Sequence, residues 1–160
     1  MRHSLTALEV IKHFEGFKEF AYFDLANVPT IGYGTTEGVT VEDVLSKRRI
    51  TENEAEKLLK NHVSKNDSEI TRLVKVPLEQ YQFDAIASWT YNFSPGALRN
   101  STLLKKLNRG DYVGAAEEFL RWNKFLNPKT GVREEAPGLT RRRKTERLLF
   151  KGEGLRFWHS

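Results

Sequence analysis

The 160-residue chain contains no cysteine, which excludes both a disulfide framework and thiolate chemistry. No run approaches the roughly 18 apolar residues needed to cross a bilayer, so no transmembrane segment is expected. The opening residues, "MRHSLTALEVIKHFEGF", have no uninterrupted apolar stretch and no small-residue cleavage site. No signal peptide is therefore expected. The histidines His3, His13, His62 and His159 are scattered without ligand spacing, and neither a metal nor a cofactor is expected. P-loop and G-x-S-x-G motifs are absent, and "GYGTTEG" puts Glu37 where a dinucleotide fingerprint needs its third glycine.

What is present reads as one folded unit. The apolar, aromatic and charged fractions (39%, 11% and 29%) are those of a globular chain. Leu5, Leu8 and Ile11 recur at helical spacing and predict a short helix over residues 5–13 that ends near Gly16. From Phe20 to Thr40 the pattern turns strand-like, broken by Asn27 and Pro29. Thr51 and Glu54 form a T-x-x-E capping signal. The helix behind it is apolar at both ends and polar all round in "SKNDSE" (Ser64–Glu69), a pattern that suits a bridge between two lobes. After Pro77 every segment reads helical, with turns at Ser94-Pro95-Gly96, Asn108-Arg109-Gly110 and Asn127-Pro128. The predicted class is α+β. A small β-containing N-terminal lobe (about residues 14–50) joins through a long helix (51–75) to a larger all-helical lobe (76–160), on which the 1–13 helix packs.

Charge is concentrated at one end. Residues 139–160 hold seven Lys or Arg and two acids, which accounts for the whole net charge of +5. Such a segment fits an anionic partner, such as nucleic acid, a lipid surface, or a wall or outer-membrane polymer, or else a solvated helix face. Nucleic acid is not expected, because no aromatic stacking platform is interleaved with the basic residues.

The stretch "EGFKEFAYFDLANVPTIGYGTT" carries the chemistry. With Phe20–Asp24 and Thr30–Thr35 as hairpin arms, alternation puts Tyr22 and Asp24 on one face, and Thr30, Gly32 and Gly34 on one face of the other arm. Asp24 opposite Thr30 could hold one water between carboxylate and hydroxyl, with Gly32 and Gly34 leaving the backbone bare for a polymer. Glu15, beside Phe14 and Phe17, could be kept protonated by partial burial. One acid and one base are the equipment of glycoside hydrolysis. A solvated Glu and a turn-forming Asp are the alternative.

At these residues the chain resembles the bacteriophage-type lysozymes, the muramidase endolysins of glycoside hydrolase family 24. Their signature of Glu, Asp nine positions on and Thr six further, running into T-I-G-Y-G, is matched by Glu15, Asp24, Thr30 and "TIGYGT". The segments "VPLEQYQFDAI", "NSTLLKKLNRGDYVGAAEEFLRW" and "PGLTRRRKTERLLF" resemble later family segments in the same order. The resemblance implies a lysozyme-like fold and cleavage of the β-1,4 bond between N-acetylmuramic acid and N-acetylglucosamine. Glu15 is then the general acid, Asp24 the base or charge-stabilising carboxylate, and Thr30 a holder of the attacking water. It further implies a protein that accumulates in the host bacterial cytoplasm and reaches the peptidoglycan through a holin. A monomer is expected.

Substrate contacts are expected from Tyr22, Gly32 and Gly34, from Asn92 and Ser101 (otherwise a turn-forming Asn and a helix-cap Ser), and from Arg142 (otherwise a solvated helix residue). Two departures stand out. Thr35 replaces the usual His after "GYG", and Asn27 replaces a turn Gly. The rivals are a lytic transglycosylase, which needs the Glu but not the Asp–Thr clamp, and a catalytically silent wall-binding module.

Overall fold

The computed structural model describes residues 1–158. Helix α1 (Leu5–Glu15) starts on Ser4, whose side chain accepts from Thr6 N, satisfying one of the amides a helix start leaves open. Ala7, Leu8, Val10 and Ile11 are its buried face. The helix runs two residues further than its apolar spacing indicates and stops at Gly16, which takes φ 68°. Glu15 is therefore its last residue.

Strands β1 (Lys18–Phe23) and β2 (Pro29–Gly32) pair antiparallel, with an irregularity between Lys18 and Tyr22. The register differs from the one alternation predicts: Thr30 lies opposite Tyr22, not Asp24. Asp24 has left the strand, because its own amide donates to Val28 O (3.0 Å) and its Oδ1 accepts from Ala26 N and Val28 N (2.9 and 2.8 Å). Asn27 supplies the left-handed residue of this turn at φ 64°, a conformation Asn tolerates.

After a short helix α2 (Val41–Leu45), α3 (Glu52–Leu73) begins with the predicted capping box of Thr51 and Glu54. Its middle is not polar all round to solvent. Asn66 and Asp67 are buried, and Asp67 Oδ2 takes the His3 amide at 3.2 Å and lies 2.6 Å from His3 Nδ1. A buried carboxylate needs such partners, and the N-terminal segment provides them.

Helix α4 (Gln80–Asn92) is the centre of the molecule. Phe83 through Tyr91 are buried without interruption, and the helix packs on α8 (Pro137–Phe150), α1 and α3. Short helices α5 (Pro95–Arg99), α6 (Thr102–Asn108) and α7 (Tyr112–Glu118) follow. Trp89, Phe83, Phe119 and Phe150 fill the core between them.

The segment after Pro77 is not all helical. Strands β3 (Lys124–Leu126) and β4 (Arg133–Glu135) form a second antiparallel hairpin, and Asn127-Pro128 begins its loop rather than separating helices. Gly131 N donates to Asn127 O at 2.8 Å, and Asn127 N to Val132 O at 2.9 Å. Each strand has three residues and none is buried, so no two-residue apolar alternation exists to announce it. No described helix is long and apolar enough to cross a membrane.

Candidate active site

A cleft of ≈ 870 Å³ is bounded by the end of α1, both hairpins, the end of α4, the start of α8 and Trp158. Its volume suits a bulky ligand. Glu15, Asp24, Tyr22, Asn92 and Arg142 line it, together with Phe125 and Leu126 of the second hairpin.

Glu15 is held from three sides. The helix end fixes its backbone. Gly34, at φ 76°, lies so close that a Cβ there would collide with the carboxylate. Arg142 Nη1 approaches Glu15 Oε2 to 2.7 Å. Arg142 is no solvated helix residue: it is 3% exposed and also bonds Ser88 O at 3.0 Å and Glu146 Oε2 at 3.3 Å. Burial disfavours its charge, but Glu15 and Glu146 together outweigh that and leave its pKa above the ordinary guanidinium value. Glu15 therefore does not sit in the bare apolar surroundings expected from Phe14 and Phe17.

Behind Arg142, the fully buried Glu146 gathers a network. Arg143 Nη2 donates to Glu146 Oε2 at 3.0 Å, and Ser88 Oγ donates to the same oxygen at 2.5 Å. Arg143 Nε and Glu146 Oε1 are 2.7 Å apart, a charge contact without hydrogen-bond alignment. Burial pushes Arg143 down to about 10, against the pull of Glu146. Two of the basic residues of the C-terminal segment thus serve the interior, and its last two residues, His159 and Ser160, lie outside those described.

Asp24 differs from Glu15. Its Oδ1 is committed to two turn amides, while Oδ2 has no hydrogen-bond partner among the described residues. Thr30 is 2% exposed and donates its hydroxyl to Val28 O at 2.8 Å, so its oxygen offers only lone pairs to a further partner. Tyr22 has its pKa raised by burial, then by Glu15 and Asp24. Tyr91 is pushed up mainly by burial and donates to Tyr33 O at 2.6 Å, which fixes the strand end beside Gly34.

The phage lysozyme family matches residues 12–146. The chain belongs to the phage lysozyme family. An endolysin of Acyrthosiphon pisum secondary endosymbiont phage 1 is 40% identical over 151 residues, covering 94% of this chain and 99% of that relative. An endolysin from Escherichia coli O157:H7 phage FAHEc1 superposes with TM-score 0.84 at 36% identity, over 98% of this chain and 97% of its own. A P22 lysozyme mutant does so with TM-score 0.73 at 36% identity, over 94% and 99%. The fold is that of the phage lysozymes, and the activity is peptidoglycan hydrolysis in phage lysis.

In this phage lysozyme three expected substrate contacts have other work. Ser101 is buried and caps α6, accepting from Leu104 N at 3.0 Å and donating to Leu98 O at 2.7 Å; it is the helix-cap Ser. Gly32, at φ 66°, faces α3, where a Cβ would come within 2.9 Å of Ala55 Cβ. Gly34 makes room for Glu15 rather than for a polymer. Tyr33 is core, its hydroxyl on Glu52 Oε1 at 2.9 Å, and burial first, then that bond, push it up to about 12.

The role of Gly34 gives an expected result. Gly34→Ala should cost about 1–2 kcal/mol for a side chain in left-handed backbone, and cut turnover by up to ~10²-fold by displacing the Glu15 carboxylate. Gly16→Ala is the control, since Gly16 shares the left-handed φ but has open space around it. Denaturant melts with turnover measurements compare the two, and equal turnover in both variants would contradict the packing argument.

Proposed function

We propose that this lysozyme hydrolyses the β-1,4 bond between N-acetylmuramic acid and N-acetylglucosamine, with Glu15 as general acid and Asp24 as the second carboxylate. The observation that carries the reading is that both carboxylates line one cleft in unlike settings. Glu15 is fixed by Arg142 and Gly34, as a group that must aim a proton at one glycosidic oxygen should be. Asp24, with Oδ2 unpartnered among the described residues, is free to stabilise positive charge developing at the anomeric carbon, or to take the proton of an attacking water. Thr30, whose hydroxyl proton is engaged by Val28 O, can only accept from that water. Its burial and its register opposite Tyr22 take it out of the direct cross-strand position to Asp24. Tyr22 and Asn92 remain candidate sugar contacts on the cleft wall.

The reading extends to access. The molecule divides into a β lobe and a helical lobe joined by α3, works as a monomer, and reaches the wall from the host cytoplasm through a holin. Its basic C-terminal surface, reduced by the burial of Arg142 and Arg143 to exposed or partly exposed residues such as Arg141 and Lys144, assists contact with anionic wall polymers. Mass spectrometry of digested peptidoglycan tests the chemistry: reducing muramic ends are expected, whereas 1,6-anhydro ends would identify a lytic transglycosylase. In the same experiment, purified walls should be opened and intact cells only after membrane permeabilisation. Lysis of untreated cells would remove the need for a holin.

A further inference from the structure

Beyond Phe150 the backbone turns back on itself. Gly152 and Gly154 take φ 72° and 97°, and a Cβ on Gly152 would meet the Tyr81 ring at 2.9 Å, so the first turn needs glycine for conformation and for space. The returning segment is tied down residue by residue. Thr145, fully buried on α8, donates Oγ1 to Arg156 O at 2.7 Å. Phe157 stacks on His13, with centroids 3.9 Å apart and planes at 27°, and meets Phe14 edge-on at 5.8 Å. His13 and Phe14 form the last turn of α1, immediately before Glu15. Trp158 follows, half-buried, and lines the cleft that holds Glu15 and Asp24.

Of the other two tryptophans, one is in the core and the partly buried second packs against it. Trp89 is fully buried, and Trp122 is packed edge-on to Trp89 and tilted on Phe93, at 4.8 and 5.0 Å. The only described ring or cation contact of Trp158 is the Arg156 guanidinium, 4.8 Å from its ring. That leaves an indole face for a ligand, on a backbone pinned just before it by the Arg156 carbonyl and the Phe157 ring. Broad and flat, with one polar N–H, an indole combines apolar contact area with a hydrogen-bond handle. That combination matches an N-acetylated sugar, whose C–H face is apolar and whose acetamido carbonyl accepts a hydrogen bond. A peptide stem is matched less well, because its carboxylates would seek Arg141 or Lys124 on the same wall rather than an aromatic face.

We propose that Trp158 is a saccharide-stacking residue of the cleft, so that the folded-back C-terminal segment builds part of the glycan-binding wall. The proposal rests on the reading of this cleft as the glycan site, and it concerns binding rather than proton transfer.

The test uses the full chain and a peptide-free probe, the hexasaccharide of N-acetylglucosamine, in the Glu15→Gln background. Saturable change of tryptophan emission is expected on titration, and it should vanish in Trp158→Phe. On purified peptidoglycan, Trp158→Ala should raise KM about tenfold with kcat changed less than about threefold, while Trp158→Phe should stay within about threefold of the parent KM. A tail that only holds the fold together would lower the melting temperature without giving a ligand-dependent emission change. The proposal is overturned if emission ignores the saturating probe, if it responds only to peptide-bearing fragments, or if KM of Trp158→Ala stays within twofold. Failure of the acid assignment is a separate result: Glu15→Gln would then still open walls, whatever the titration shows.

Discussion

Replacing Glu15 by Gln should lower the rate of peptidoglycan hydrolysis by about 10²–10⁴-fold, the usual contribution of a positioned general acid. The substitution keeps the size of the side chain and an oxygen able to accept from Arg142, so the cleft should keep its shape. What is lost is the proton that the leaving oxygen needs. KM should therefore change little while kcat falls, the pattern of an interaction made only in the transition state. Turbidity or reducing-sugar assays on purified walls measure it. A variant that retains a tenth of the parent kcat would remove Glu15 from the acid role.

A larger effect on the fold is expected at Glu146. Its carboxylate is wholly buried and holds Arg142, Arg143 and Ser88 together. Glu146→Ala leaves two buried guanidinium groups with only the partly exposed Glu15 as counter-charge. Breaking a buried ion pair from one side costs about 3–5 kcal/mol, a large share of the roughly 5–15 kcal/mol that typically holds a domain folded. Chemical denaturation should show that loss, and turnover should also fall, because Arg142 loses the partner that aims it at Glu15. A loss below about 1 kcal/mol would mean that water, not Glu146, satisfies the two arginines. Glu146→Gln, which keeps an acceptor at the site, should fall between the parent and Glu146→Ala.

Spacing alone leaves Glu15 and Asp24 open between a catalytic pair and a solvated Glu beside a turn-forming Asp, and it is the family resemblance that favours the pair. The helix end and the turn between two strand-like runs can be read from local pattern, because Gly16, Asn27 and Pro29 act within a few residues. The register of the hairpin cannot. It depends on the irregularity between Lys18 and Tyr22 and on Asp24 folding into its own turn, so Tyr22 rather than Asp24 faces Thr30. The second hairpin escapes for a different reason: strands of three residues with none buried are too short to leave an alternation to detect. Arg142, Arg143 and Glu146 read as a charged surface because burial of a balanced cluster depends on Ser88 and Glu15, 54 and 127 residues from Arg142. Gly32 and Gly34 are legible as special backbone, yet what they make room for is set by α3 and by Glu15. Phe125 and Trp158 reach the cleft by chain reversals whose destination no local signal gives.

The unbroken burial of α4 has a consequence in time rather than in distance. An element with no solvent face from Phe83 to Tyr91 opens only when the whole molecule does, whereas exposed turns open locally and often. Ser88 on that helix anchors Arg142, and through it Glu15, so the proposed proton donor is clamped to the slowest-opening part of the protein. Asp24 hangs from an exposed turn at the fast end of the same scale. The two carboxylates thus keep different clocks, and a glycan strand entering the cleft has one of them waiting in place and has to still the other.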